Sequence, residues 1–117
     1  MMTASLEVKD LSVGEGQEAQ ANQVVTVDYT GWLYDENAAD KKGEKFDSSL
    51  DHGSPLKFIL GVGMVIEGWD KGVEGMKEGG KRTLTIPPAM AYGEEGSPGA
   101  IPPNATLIFD VELISVK

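Results

Sequence analysis

The residues that could do chemistry in this chain are conspicuous for what they leave out. There is a single histidine, His52, and no cysteine. Any Ser–His–Asp arrangement would have to be built around His52, and no Gly-x-Ser-x-Gly elbow accompanies it. A lone histidine in a polar stretch reads as a surface residue. Disulfides, thiolate metal sites and thiol nucleophiles drop out for want of sulfur, and two-histidine metal motifs are impossible by count. Asp35, Glu36 and Asp40 are acidic and close together, but their spacing fails the EF-hand loop, so they read as a solvated acidic loop. The glycine-rich run Tyr92 to Gly99 lacks the Lys-Ser/Thr of a phosphate cradle. The expectation is a protein without metal, cofactor or nucleophile.

What remains is apolar and aromatic. Tyr29, Phe46, Val65, Ile66, Trp69, Tyr92, Ile101 and Phe109 lie beside turns or at the ends of elements. For any one of them, core packing is the better account. As a set they say more, because Met64-Val65-Ile66 and Ala100-Ile101-Pro102-Pro103 put apolar residues where loops are ordinarily polar. Apolar loops around a helix floored by a tryptophan make a pocket. On these grounds alone the chain binds an apolar ligand or a peptide.

The elements that must position these residues follow from periodicity. Leu6 to Val13 reads as a first strand ending at Gly14-Glu15-Gly16. Val25, Val27 and Tyr29 alternate with polar neighbours, as in a half-buried strand, and Leu107, Phe109, Val111 and Leu113 do so still more clearly. Lys81 to Ile86 and Leu56 to Leu60 are further strands, and order resumes at Phe46 to Ser49 after a solvated loop over Asp35 to Gly43. Between Met64 and Met76, Val65, Ile66, Trp69, Val73 and Met76 recur at helical intervals. Gly68, Gly72 and Gly75 each cost such a helix about 1 kcal/mol relative to Ala, so it must be short and rely on packing. Strands flank the helix without regular βαβ alternation. The fold class is therefore α+β, an antiparallel sheet of five or six strands on one short helix.

Length and charge set the outer bounds. The 117 residues are the right size for one domain, residues 1–117. A net charge of −9 argues against nucleic acid and against an anionic membrane surface, and favours solubility and unfolded or basic partners. Met1 to Asp10 carries no basic, apolar leader, and no run approaches a spanning helix, so the cytoplasm is the expected compartment.

Six strings then narrow the reading. Val27-Asp28-Tyr29-Thr30-Gly31, Phe46-Asp47-Ser48-Ser49, Val65-Ile66-Glu67-Gly68-Trp69-Asp70, Leu84-Thr85-Ile86-Pro87, Ala91-Tyr92-Gly93 and Ile101 through Leu107 resemble, in order, the FKBP-type peptidyl-prolyl isomerases, from about Leu6 to the C-terminus. The resemblance implies a curved antiparallel sheet wrapped over one helix, and isomerisation of X–Pro bonds in peptides and folding proteins. It implies a pocket floored by Trp69, with Tyr29, Phe46, Val65, Ile66, Ile101 and Phe109 as walls. Leu56 stands where an aromatic wall is usual. Tyr92 would offer its hydroxyl, and Ile66 its N–H, to substrate carbonyls. Asp47 would sit at the rim near Tyr29, where an acid beside Phe46 has little structural reason to be. The catalytic set implied is Asp47, Tyr92, Ile66, Trp69 and Phe109. Macrolide inhibitors are implied ligands, with affinity lowered by Leu56, Ser97 and Ala100. His52 stands where an arginine often pairs with the pocket aspartate. Residues 34–45 form a longer excursion than the family's usual turn, and a minimal monomer of bacterial style is expected. A proline-peptide binding module or chaperone domain without turnover is the alternative.

Overall fold

The computed structural model describes residues 5–117; residues 1–4, the start of the stretch read for a leader, lie outside them. Six strands form one antiparallel sheet: β1 (Glu7–Ser12), β2 (Val24–Tyr34), β3 (Lys42–Ser48), β4 (Leu56–Ile59), β5 (Lys81–Ile86) and β6 (Leu107–Val116). The order is β1-β5-β6-β2, and the far edge of β2 is shared. β4 pairs with its first half, from Val24 to Val27, and β3 with its second half, from Thr30 to Tyr34. Among the described residues there are two α-helices, α1, a single turn at Ser49–His52, and α2 at Glu67–Val73, besides short 3-10 turns at Ala39–Lys41 and Pro88–Met90.

The expected period-two faces are the faces that are buried. Val25 and Val27 of β2, Leu84 and Ile86 of β5, and Leu107, Phe109, Val111 and Leu113 of β6 all point into one core with Trp69 and Val73 of α2. Each such side chain contributes roughly 1.5–3 kcal/mol of transfer free energy. The alternation in β6 is broken at Ile108, which is buried as well, and again near the end of the strand, where the ladder slips. Val27 pairs with Leu113 but Thr26 with Ser115, so Ile114 bulges outward and the parity resets, leaving Val116 buried opposite Val25.

Three elements differ from their sequence patterns. The helix is shorter than the Met64 to Met76 pattern: Met64 to Ile66 approach it in irregular conformation, and Gly75 leaves it at φ +89°. The Ile66 carbonyl accepts the N–H groups of Trp69 and Asp70 at 2.9 and 3.2 Å, starting the first turn. Gly68 and Gly72 let α2 lie directly on β5. A Cβ on Gly68 would come within 2.5 Å of Ile86, and one on Gly72 within 2.7 Å of Leu84. The solvated loop is also shorter than expected, since β3 starts at Lys42. Tertiary contacts extend it: the Lys42 ammonium reaches Asp110 at 2.6 Å and lies 4.6 Å from the centre of the Trp32 ring. Finally, α1 adds a turn where only a polar loop was expected. Ser48 accepts the Leu50 N–H at 3.2 Å as its N-cap, and Gly53 ends it at φ +76°.

Candidate active site

The concave side of the sheet and the N-terminal end of α2 enclose a cavity of about 260 Å³, lined by Tyr29, Phe46, Asp47, Leu56, Met64, Val65, Ile66, Trp69, Tyr92 and Phe109. Its floor is a set of rings packed edge to face. Trp69 lies 4.9 Å from Tyr29 and 5.2 Å from Phe109 between ring centres, and Phe109 lies 5.5 Å from Phe46. Each ring comes from a different element: Tyr29 from β2, Phe46 from β3, Trp69 from α2 and Phe109 from β6. Gly31 makes the arrangement possible, because a Cβ there would stand 2.5 Å from Phe109 and 2.8 Å from Phe46. The indole N–H of Trp69 is enclosed and has no hydrogen-bond partner among the described residues, so this ring serves by shape and apolar area.

One carboxylate stands at the rim of these rings. Asp47 Oδ2 accepts the Tyr29 hydroxyl at 2.7 Å, and Oδ1 accepts the Ser48 N–H at 2.9 Å and faces His52 Nε2 at 2.8 Å. Burial alone would raise the Asp47 carboxyl. The hydrogen bonds from Tyr29, His52 and Ser48 outweigh it and hold the group below the usual carboxylate range. Burial, then the bond to Asp47, pushes the Tyr29 phenol well above its ordinary value. Tyr92 is pushed up as well, by burial and then by the Asp47 charge. The rim is thus an anion flanked by two phenols that remain protonated.

Two loops carry the other lining groups. The turn from Gly61 to Ile66 is held by Asp70 of α2, whose carboxylate accepts the Gly61 and Gly63 N–H groups at 2.8 and 3.0 Å. This presents Met64, Val65 and Ile66 to the cavity, and the Ile66 N–H has no partner among the described residues. The segment after β5 folds back on itself, with Gly93 N–H donating to Pro88 at 2.8 Å and Asn104 N–H to Gly93 at 2.9 Å. It carries Tyr92, whose side chain lines the cavity and stays partly exposed.

Of the residues singled out in the sequence, Tyr29, Phe46, Asp47, Leu56, Val65, Ile66, Trp69, Tyr92 and Phe109 converge on this cavity. Ile101 does not. It is 6 % exposed, packs in the core and pairs with Ser97 within its own loop, so it supports the loop from behind. One residue was missed. Met64 lines the cavity, and its signal was the apolar turn Met64-Val65-Ile66. His52 is exposed, as a histidine in a polar stretch was expected to be, and it meets Asp47 at the place where the resemblance puts an arginine, because α1 turns the chain back on β3.

A sequence model described as FKBP-type peptidyl-prolyl cis-trans isomerase matches residues 15–114. The chain belongs to that family. It is 57 % identical over 112 residues to the FK506-binding protein of Neisseria meningitidis serogroup A, with 96 % of each chain covered. It is 54 % identical to the peptidyl-prolyl cis-trans isomerase FPR2 of Saccharomyces cerevisiae, covering 86 % of this chain and 70 % of that one. Among solved structures, AtFKBP13 superimposes with a TM-score of 0.83 at 43 % identity, covering 96 % of this chain and 93 % of that one. FkpA from Escherichia coli gives the same TM-score at 42 % identity over all of this chain and 51 % of its own. Membership of this FKBP-type family makes the chain a peptidyl-prolyl cis-trans isomerase. The wrapped sheet expected from the resemblance is the sheet observed.

Proposed function

We propose that the cavity floored by Trp69 is where the X–Pro bond turns, and that macrolides of the FK506 kind compete for it. The observation that carries the reading is an apolar cavity, walled by rings, with three polar groups at its edge. These are the Ile66 N–H, the Tyr92 hydroxyl and the Asp47 carboxylate.

The chemistry asks for nothing more. An X–Pro bond is slow to turn because twisting the amide costs its resonance, a barrier of roughly 18–20 kcal/mol. Uncatalysed exchange takes tens to hundreds of seconds, and reaching milliseconds needs about 5.5–7 kcal/mol. No bond breaks, so no nucleophile or metal is required. A twisted amide is less polar than a planar one, so an apolar cavity favours the transition state over the ground state. In this reading Trp69, Phe46, Phe109, Tyr29, Val65 and Leu56 hold the prolyl ring. Ile66 and Tyr92 donate to carbonyls on either side of the bond, and Asp47 keeps Tyr29 in place and sets the potential at the rim. Ile101 acts only by backing the Tyr92 loop. Proline-containing peptides and folding proteins are the substrates, and a monomer at work in the cytoplasm completes the reading.

The test is isomerisation of Xaa-Pro peptides with Leu, Phe or Ala before proline, for the wild type, Asp47→Ala and Tyr92→Phe. Acceleration strongest with Leu or Phe, reduced in both variants and abolished by FK506, is the expected result. Full activity in both variants, or inhibition-free binding of the macrolide elsewhere, would move the reaction out of this cavity.

A further inference from the structure

Asp47 is the charged group closest to the proposed reaction, and the groups that face it come from every element around it. Tyr29 reaches it from β2 and the Ser48 N–H from β3 itself. Tyr92 feels its charge from the loop after β5, and His52 contacts it from α1. Other charges on the same elements are already paired or engaged: Lys45 of β3 meets Asp51 of α1 at 3.0 Å, and Asp28 of β2 accepts the Ser49 hydroxyl at 2.7 Å. Tyrosines, carboxylates and lysine ammoniums as types keep one charge state between about pH 5 and 8, whereas imidazole changes its own there. Within this group, only the partner on α1 can therefore alter the charge of the rim near neutrality.

The contact is built to transmit that change. His52 Nε2 stands 2.8 Å from Asp47 Oδ1, while Oδ2 is held by Tyr29, so the carboxylate cannot turn away without breaking the Tyr29 bond. With His52 protonated, the pair is neutral and the rim presents little net charge. With His52 neutral, its N–H can still donate, but the Asp47 charge is uncompensated beside an apolar cavity.

We propose that His52 is a positioning and specificity-determining residue, whose protonation sets which charges the enzyme accepts next to the substrate proline. At acidic pH the rim is indifferent. As pH rises through the imidazole range, peptides with a cation beside proline gain over those with an anion. This rests on the cavity being the site of isomerisation.

The experiment uses end-blocked peptides carrying Lys or Glu before proline, whose own charges change little between pH 5 and 8. Isomerisation is followed without a coupling protease, by exchange NMR. In the wild type the ratio of kcat/KM for Lys over Glu rises by about two- to fivefold from pH 5 to 8, the span of a partly exposed ion pair. In His52→Arg the ratio stays flat at its low value, and in His52→Gln flat at its high value. A merely structural histidine would change both peptides equally and leave the ratio unmoved. A flat ratio in the wild type, or the same rise retained in His52→Gln, overturns the proposal. The Asp47 carboxyl carbon shift, followed by NMR in the folded wild type, must also change between pH 5 and 8 together with the His52 ring signals. That readout needs no turnover: if the shift tracks while FK506 and Asp47→Ala leave isomerisation untouched, the cavity assignment has failed and the coupling has not.

Discussion

At the scale of single residues, Asp47 shows how an acid can sit against aromatic rings and remain an anion. Three donors hold it, and removing one shifts the balance back toward burial. Tyr29→Phe should therefore raise the Asp47 pKa while leaving the ring floor in place, as a carboxyl-carbon NMR titration would read. The lost bond should cost about 1 kcal/mol of stability. The sign of the acid response follows from the same group. A carboxyl held below its unfolded value of about 3.9 contributes stability that is fully present above that pH and fades as pH falls through the folded value. Asp47→Asn should thus have a shallower loss of stability below about pH 4 than the wild type, measured by urea unfolding across pH. Because the side chain is 40 % exposed, solvent screening keeps the difference small.

At the scale of elements, the helix under the cavity is governed by packing rather than by propensity. Replacing Gly68 with Ala would gain about 1 kcal/mol of helix propensity. The new methyl meets three carbons of Ile86 at 2.5 to 2.8 Å, and overpacking of this kind costs about 1–3 kcal/mol. Packing wins, so Gly68→Ala should lower the unfolding free energy, seen as a lower urea midpoint at unchanged m-value. Asp70 is the other lever on α2. Its carboxylate fixes the turn that presents Val65 and Ile66, so Asp70→Ala should free that turn. The expected outcome is faster amide exchange at Gly61 and Gly63 and a several-fold weaker kcat/KM for Leu-Pro peptides, with Trp69 still buried by fluorescence.

At the scale of the whole molecule, the chain carries 19 acidic side chains against 10 basic ones. Such a field speeds the approach of cationic polypeptides and is screened beyond about 8–10 Å at physiological salt. Raising sodium chloride from 0.05 to 0.5 M, values on the order of the screening range, should therefore slow isomerisation in a basic unfolded client. A neutral tetrapeptide should be nearly unaffected. Equal salt sensitivity for both substrates would show that steering plays no part.

Much of this protein was legible before any coordinates. Period-two runs at Val25 to Tyr29 and Leu107 to Leu113 specify the buried faces, because strand geometry alone decides which side chains share a face. Local motifs from Val27 to Leu107 carried the family and seven of the lining residues, and the resemblance they establish implied Leu56 and Phe109 as well. What the pattern could not contain were contacts between distant segments. Lys42 joins β3 because Asp110 and Trp32 wait for it across the sheet. Val116 turns inward because the ladder against β2 slips at Ile114. Ile101 and Met64 exchange their expected places, since both are apolar residues in loops and only the fold of each loop decides which one faces the cavity. His52 is the sharpest case. The resemblance put it where a partner of Asp47 is usual, but its polar sequence neighbours carry no sign of that contact, which the turn of α1 against β3 makes. Periodicity is a property of the chain and can be read from it; proximity is a property of the fold, decided by how its elements pack.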